Sequence, residues 1–557
     1  MKDDHLDDGH HAYTEYEQHQ VNKYESEKIE TYDDISQSKI EAGHLEAGEG
    51  AGAHHSDLQQ GTQRGLKTRH IQMIALGGCI GLFLNMGLNI ATAGPAGAFI
   101  AYIVIGFMVY CIMTTLGEMA SFIPVSGSFN HYATRFIEPS LGFALGWNYW
   151  FSSVTIATEL AASATIIAWW KPVMPDAAWS TIFLVLIIAL NMFSVKIYGE
   201  IEYYFAMIKI LIVIVFIIIA ILVSAGGVGG QGPIGFKYWN SPGAFANGGV
   251  GTVSVLLSAG FSYQGTEVVG ITAGEASNPT KAIPRAIRNT FWRILVFYVA
   301  TIFLIGLCVP YDNEQLADTN GNPNTSAFTL IFELAGISAG ASVINAIVLT
   351  SVLSAANSSV YTTARTLLGL ANDGNAPKFL AKTNRFGAPW VAVLVSSFCG
   401  FAACFASIYS ATVAFTWFLS ITTVSGFISW WGIGFVHLRF RRAYIKQGRD
   451  VKELPYRSPW YPFSGLFSSV LCVLIILGQG YTAFTPEFDA IKFVSNYLGL
   501  LPAPILYVAH KLITKSKVIP LEEVDFETGR VTMYQIDEAN EKDLNLPWWR
   551  RALYYIL

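Results

Sequence analysis

Twelve apolar stretches recur along the chain, at roughly residues 71–93, 96–123, 143–170, 178–195, 201–225, 251–274, 291–310, 328–357, 388–408, 412–437, 465–485 and 490–512. Each approaches the about 20 residues that an α-helix needs to cross a bilayer. The eighth is the least regular, because Asn345, Asn357 and Ser358 interrupt it. The chain is 52% hydrophobic and only 13% charged, about half the charge of a soluble domain. A soluble fold could not hide that much apolar surface. The expected fold class is therefore all-α: a polytopic membrane protein with twelve transmembrane helices.

Enzyme chemistry is not advertised. There is no CxxC, HExxH, Walker loop or GxSxG. Cys79, Cys111, Cys308, Cys399, Cys404 and Cys472 lie mostly in apolar runs at no regular spacing and read as small packing residues. No cofactor and no metal are expected. The basic residues are spread over loops, where topology explains them, so no nucleic-acid partner is expected either.

Residues 1–65 carry fifteen Asp/Glu against five Lys/Arg and few large apolar groups. Such a segment cannot offset its ordering entropy and is expected to be a disordered acidic tail. The membrane domain is expected over 66–515 and a second tail over 516–557. With the N-terminus placed inside, the inner loops hold most of the basic residues, among them Lys281, Arg285, Arg288, Arg439, Arg441, Arg442 and Arg449. The outer side holds Lys171, Lys237 and Lys492. That bias puts both termini in the cytoplasm.

Charges inside a span cost roughly 2.5–3.5 kcal/mol on insertion scales. Glu118, Glu159, Lys209 and Glu267 all lie within spans. Glu118 is near an inner end and is expected to be paired or to snorkel. The other three are functional candidates. Two spans also carry glycine and polar residues in mid-course. The first reads "IALGGCIGLF", with Gly77, Gly78 and Gly81; the sixth reads "FSYQGTEVVG", with Gly265. Unwound backbone inside a membrane survives only where it lines a cavity or is buried in protein. Its free N–H groups suit a carboxylate and its carbonyls a cation. Breaks at corresponding places in two halves imply an inverted repeat of spans 1–5 and 6–10, with two helices added.

Longer motifs carry a family resemblance. "LKTRHIQMIALGG", "ATAGPAGAFIAY", "TLGEMASFIPVSGSF" and "FSYQGTEVVGITAGEASNPTKAIPRAIRNTFWRILVFYV" resemble the fungal amino acid permeases of the amino acid–polyamine–organocation superfamily. "GTEVVGITAGEA", "IGLCVPYDNEQL", "ELPYR" and "QGYTAFTPEF" are closest to its basic amino acid permeases. The resemblance implies a leucine-transporter-type fold of five plus five helices with two added, a plasma-membrane address and proton-coupled uptake of arginine or lysine. It implies that the substrate carboxylate meets Gly77, Gly78, Cys79, Ile80 and Gly81. The substrate ammonium would meet backbone near Phe261, Ser262 and Tyr263, beside Gln264, Gly265 and Thr266. Glu159 and Glu267 match carboxylates near the site, and Thr422 a side-chain pocket position. Lys209 matches a lysine standing where sodium-coupled relatives hold sodium, and Glu275 an inner-side carboxylate; with Glu267 these are the proton-coupling candidates.

Two departures accompany the likeness. The first break is two residues shorter than the family's, which turns one half-helix by roughly 200°. The third span is one residue short between Trp150 and Glu159, a turn of about 100°. The rival readings are a permease for neutral amino acids, a sensor that transports little, and an ion channel. A channel predicts continuous polar stripes along several helices, whereas two local breaks are seen. In related permeases, tail lysines accept ubiquitin; Lys2, Lys23, Lys28 and Lys39 stand in that place, which implies ubiquitin ligase adaptors as partners. The C-terminal "LPWWRRALYYIL" suits the inner leaflet or a docking site on the protein itself.

Overall fold

The computed structural model describes residues 70, 73 and 82–531, apart from 126, 171–172, 231, 277, 317–325, 407–410 and 485–486. Gly77, Gly78, Cys79, Ile80 and Gly81, the segment 1–65 with its lysines, and the stretch after residue 531 lie outside the described residues.

The described chain is helical, and each expected span has a helical counterpart. α1 (Leu82–Phe122) holds the C-terminal part of the first span and all of the second. α2 (Ser128–Phe136) is a short helix between spans. α3 (Pro139–Phe151) and α4 (Val154–Ile167) form the third span, α5 (Asp176–Asn191) the fourth and α6 (Val195–Ser224) the fifth. The sixth is α7 (Gly248–Tyr263) followed by α8 (Val268–Thr272). The seventh joins α9 (Pro279–Arg293) to α10 (Thr301–Cys308) through a π-helical stretch. After α11 (Ala327–Leu334) come α12 (Ser338–Asn372), then α13 (Trp390–Phe398) with α14 (Phe401–Ala406), and α15 (Ala411–Lys446). α16 (Phe463–Gly478) is the eleventh span; α17 (Ala490–Tyr497) and α18 (Pro502–Thr514) form the twelfth, bent by 47°.

Several boundaries differ from the sequence reading: the fifth span begins at Val195, the eighth runs to Asn372 and the tenth to Lys446. One late start, one early start and one irregularity have local causes. The eighth span is α12, which begins ten residues later than residue 328 because Gly336, at φ 76°, ends α11 first. The seventh begins at Pro279 and not near 291, because the basic helix α9 runs straight into the apolar stretch. The third span is irregular at Ser152–Ser153, between α3 and α4, within the stretch that is one residue short.

One glycine decides how the first two spans meet. Gly94 has φ 77° and is followed by Pro95, so α1 turns a corner there. The loop before α7 seals that corner: Ala96 N–H donates to Ala244 O at 2.9 Å, and Ala246 N–H to Ala93 O at 3.1 Å. A Cβ at position 94 would lie 2.6 Å from Ala246 N, so only glycine fits.

Burial separates core helices from lipid-facing ones. The membrane stretch of α15 is 78% buried and that of α6 only 39%. α6 accordingly turns Ile208, Leu211, Ile214, Ile218 and Ile221 outward, and α16 turns out Val470, Leu474 and Leu477. Exposed apolar faces of this extent suit hydrocarbon and not water.

Past α18 the chain folds back as a strap. Ile519 N–H donates to Ile137 O at 2.8 Å, and Gln447 Nε2 donates to Leu521, Glu522 and Val524 carbonyls at 3.1, 3.3 and 2.8 Å. Phe526 is buried among Phe122, Phe136, Phe440 and Tyr444.

Candidate functional site

The sixth span comes apart where its sequence places glycine and polar groups. α7 stops at Tyr263, Gln264 turns extended with ψ 151°, and Gly265 takes φ 87° before α8 resumes. Side chains rarely tolerate that φ, which accounts for the glycine. Thr266 closes the loose end: its N–H and hydroxyl reach the Tyr263 carbonyl at 3.4 and 3.1 Å. Gln264 fastens the break to α15, where its Nε2 donates to Thr422 O at 3.2 Å and Thr423 O at 3.3 Å. The approach requires Gly426, because a Cβ there would lie 1.9 Å from Gln264 Nε2.

Glu267 follows directly. Its carboxylate accepts from Tyr149 Oη at 3.1 Å, Trp430 Nε1 at 3.1 Å and Gly265 N–H at 3.2 Å. All three donors are neutral, and no ion pair with Glu267 exists among the described residues. The group is 5% exposed and forms part of a cavity wall with Gly265, Thr155, Ser358 and Thr362. The cavity is about 30 Å³, room for a water or two and not for an amino acid. Loading a substrate therefore needs the surrounding helices to part.

Of the expected site residues, Gln264, Gly265 and Glu267 line this cavity. Glu159 is 1% exposed and lies one turn beyond the lining residue Thr155. Thr422 Oγ1 is 3.4 Å from Thr158 Oγ1, so Thr422 joins α15 to α4 beside the cavity and not in its wall. Phe261, Ser262 and Tyr263 are fully buried. Ser262 Oγ meets Tyr102 Oη at 2.9 Å and Asn85 Nδ2 at 3.3 Å; Tyr263 Oη donates to Tyr102 O at 2.8 Å. Asn89 donates to Tyr102 Oη at 3.0 Å and accepts from Ser258 Oγ at 2.5 Å. These bonds zip α7 to the N-terminal part of α1, antiparallel, with 85 opposite 262 and 89 opposite 258.

Lys209 and Glu275 fall into two other buried clusters. Lys209 Nζ donates to Ser354 Oγ at 2.9 Å, and Ser354 Oγ donates to Glu202 Oε2 at 2.8 Å. Glu275 pairs with Arg365 Nε at 3.1 Å and accepts from Tyr361 Oη. Tyr361 stacks on Tyr198 with ring centroids 3.8 Å apart, and Arg365 covers its other side at 3.7 Å. One helix supplies all three places. Ser354, Ser358, Tyr361 and Arg365 recur at steps of four, three and four along α12, which is one helical face.

Sequence reasoning misses that face, along with Tyr149, Trp430, Glu202 and the buried Arg293, which donates to Tyr298 Oη at 3.0 and 2.8 Å. The signal is present: the polar residues that break the eighth stretch fall at helical spacing. Arg365 escapes because the expected span ends too early, and Glu202 and Arg293 because each sits beside an expected boundary. Glu118 is paired as expected. Arg441 binds both its oxygens, with Nη2 at 2.7 Å, Ser458 N–H reaches it at 2.6 Å and His437 Nε2 lies at 3.4 Å.

Comparison with known proteins shows the fold and the family. Among solved structures, the manganese transporter of Eremococcus coleocola superposes with a TM-score of 0.51 over 84% of this chain and 97% of that one, at 12% identity. That likeness shows the transporter fold alone. The lysine-specific permease LysP of Lactococcus lactis is 45% identical over 483 residues, covering 85% of this chain and 94% of its own. The basic amino-acid permease of Saccharomyces cerevisiae is 42% identical over 482 residues, 84% of each chain. The family profile described as "Amino acid permease" matches residues 70–520. With that profile over most of its length, the chain belongs to the amino acid permease family.

Proposed function

We propose that this permease takes up cationic amino acids, arginine and lysine, across the plasma membrane together with protons, with both termini in the cytoplasm. The observation that carries the substrate class is Glu267. It is a carboxylate in a cavity wall, held by three neutral donors and balanced by no ion pair among the described residues. A ligand that brings its own positive charge completes that site; a neutral side chain leaves it unbalanced. Relatives named as lysine-specific and basic amino-acid permeases support the same class.

Proton coupling is supported by Lys209. It is 2% exposed, and the family resemblance matches it to a position where sodium-coupled relatives hold an ion. An ammonium in such a site can lose and regain a proton as its surroundings change. The first-span residues Gly77, Gly78, Cys79, Ile80 and Gly81 remain our assignment for the substrate carboxylate. The acidic N-terminal tail is our assignment for ubiquitin ligase adaptors.

The test is uptake of labelled lysine, arginine and leucine in yeast lacking its own permeases, at acidic and near-neutral external pH. Lysine and arginine enter, faster at acidic pH, and leucine does not. Equal entry of leucine refutes the substrate class, and pH-independent uptake refutes the coupling.

A further inference from the structure

The Lys209 cluster contains a second titratable group, and we propose that Glu202 is the acceptor through which the Lys209 proton leaves toward the cytoplasm, with Ser354 as the relay between them. This rests on the proton-coupled reading above and adds the inward half of the path.

The hydrogen bonds already run in one direction. Lys209 Nζ donates to Ser354 Oγ at 2.9 Å, and the same hydroxyl donates to Glu202 Oε2 at 2.8 Å. The serine accepts on one side and donates on the other, as a relay requires. The second carboxylate oxygen is fixed separately: Asn357 Nδ2 donates to Glu202 Oε1 at 2.8 Å, and Asn191 Nδ2 holds Asn357 Oδ1 at 2.8 Å. Oε2 is therefore aimed at Ser354. In the step, an N–H bond of the Lys209 ammonium breaks as an O–H bond forms on Ser354. The original Ser354 O–H breaks as an O–H bond forms on Oε2. An ammonium and a carboxylate become an amine and a carboxylic acid, and charge is conserved. Release of that proton inward restores the carboxylate.

Glu202 is 4% exposed. Its two oxygens accept separately from Ser354 and Asn357, which a glutamine, with one acceptor oxygen, could not do; the buried charge is the cost of that arrangement. One further feature, the place of Glu202 along α6, favours a relay over a structural tie. Glu202 lies seven residues nearer the N-terminal end of α6, about 10 Å along the axis, and that end is the cytoplasmic one in the orientation above. The titratable and charged groups in its surroundings include Lys209 and Tyr198 on its own helix and, around Tyr198, Tyr361 and Arg365 on α12 and Glu275, which Arg365 already pairs. Tyr198 Oη is engaged with Ser358 Oγ at 3.1 Å.

The experiment uses the purified full-length protein in liposomes, with labelled lysine, in two modes: uptake driven by an imposed proton gradient, and lysine–lysine exchange at equal pH. The variants are E202Q, S354A and S354T. E202Q and S354A lose gradient-driven accumulation by about tenfold or more while exchange stays within about twofold, and S354T, which keeps the hydroxyl, recovers accumulation. E202Q accumulating like the parent protein overturns the proposal. So does a parallel fall of exchange and accumulation in E202Q and S354T, which marks a purely structural role. If the parent protein ignores the gradient, the coupling reading itself fails, and the relay fails with it.

Discussion

Replacing Gly426 by alanine is the sharpest test of how the sixth-span break is held. The new Cβ would lie 1.9 Å from Gln264 Nε2, 2.7 Å from its Cδ and 3.2 Å from its Cγ. The whole side chain has to move, not only its amide. Both bonds to Thr422 O and Thr423 O are then lost, at about 1 kcal/mol each. Forcing a nearly buried side chain into packed surroundings adds about 1–3 kcal/mol. The expected loss is about 3–5 kcal/mol, read as a lower apparent melting temperature in detergent and as reduced lysine uptake per surface molecule. The background decides the mechanism. Q264A alone costs the two bonds, about 2 kcal/mol. In that background the methyl added at position 426 enters the vacated space, and alanine regains up to about 1 kcal/mol of helix propensity over glycine. G426A should therefore destabilise the parent protein and be neutral or stabilising beside Q264A. An equal cost in both backgrounds, or a G426A protein that melts and transports like its parent, refutes the account.

E267Q removes the charge and keeps one acceptor oxygen, so either Trp430 or the pair Tyr149 and Gly265 loses its acceptor. Lysine KM should rise about tenfold or more, the equivalent of one charge-assisted bond, with surface expression unchanged; uptake assays in permease-null yeast read this. R365A leaves Glu275 buried without its cation and should cost about 3–5 kcal/mol; E275Q/R365A should melt well above R365A alone. At the strap, burial would raise the Asp525 pKa, but it is outweighed. Thr528 and Glu527 donate to the carboxylate, with backbone N–H groups at 3.1 and 2.8 Å, and Arg135 lies at 3.0 Å; together they hold it at about 2. A depressed carboxylate stabilises fully above its ordinary 3.8 and loses that contribution as pH falls toward about 2. Hydrogen exchange over 519–531 should thus show a docked strap at every pH above about 4; release between neutral pH and about 5 would contradict it.

The spans were legible because hydrocarbon imposes one simple rule: about twenty apolar residues in a row. The break at Gly265 was legible because glycine beside Gln264 and Glu267 defies that rule. What the rule hides is polarity that faces protein. Arg365, Glu202 and Arg293 are each 4% exposed or less, yet they lower local hydropathy and so read as span ends. Pairing was illegible for a different reason. Glu275 and Arg365 are ninety residues apart, as Glu118 and Arg441 are hundreds apart, and only the bundle brings them together. The role of Gly426 lies in a contact with Gln264 on another helix, and no local pattern announces it.

The distribution of buried charge bears on the use proposed for the cavity. Each ionised group taken out of water carries a penalty of several kcal/mol that only a well-placed partner offsets. The protein meets that need internally at Glu118 with Arg441, at Glu275 with Arg365, and at Glu202 with Lys209 through Ser354. Glu267 is treated differently: it receives neutral dipoles, enough to keep a carboxylate soluble in the bundle but not to cancel its charge. A cation brought to about 4 Å from it gains about 4 kcal/mol at an effective dielectric near 20, a gain of the order of the desolvation it must overcome. The missing partner is thus one that arrives and leaves. A resident arginine at that point, as at Glu275, would cancel the attraction and close the site to any positively charged substrate.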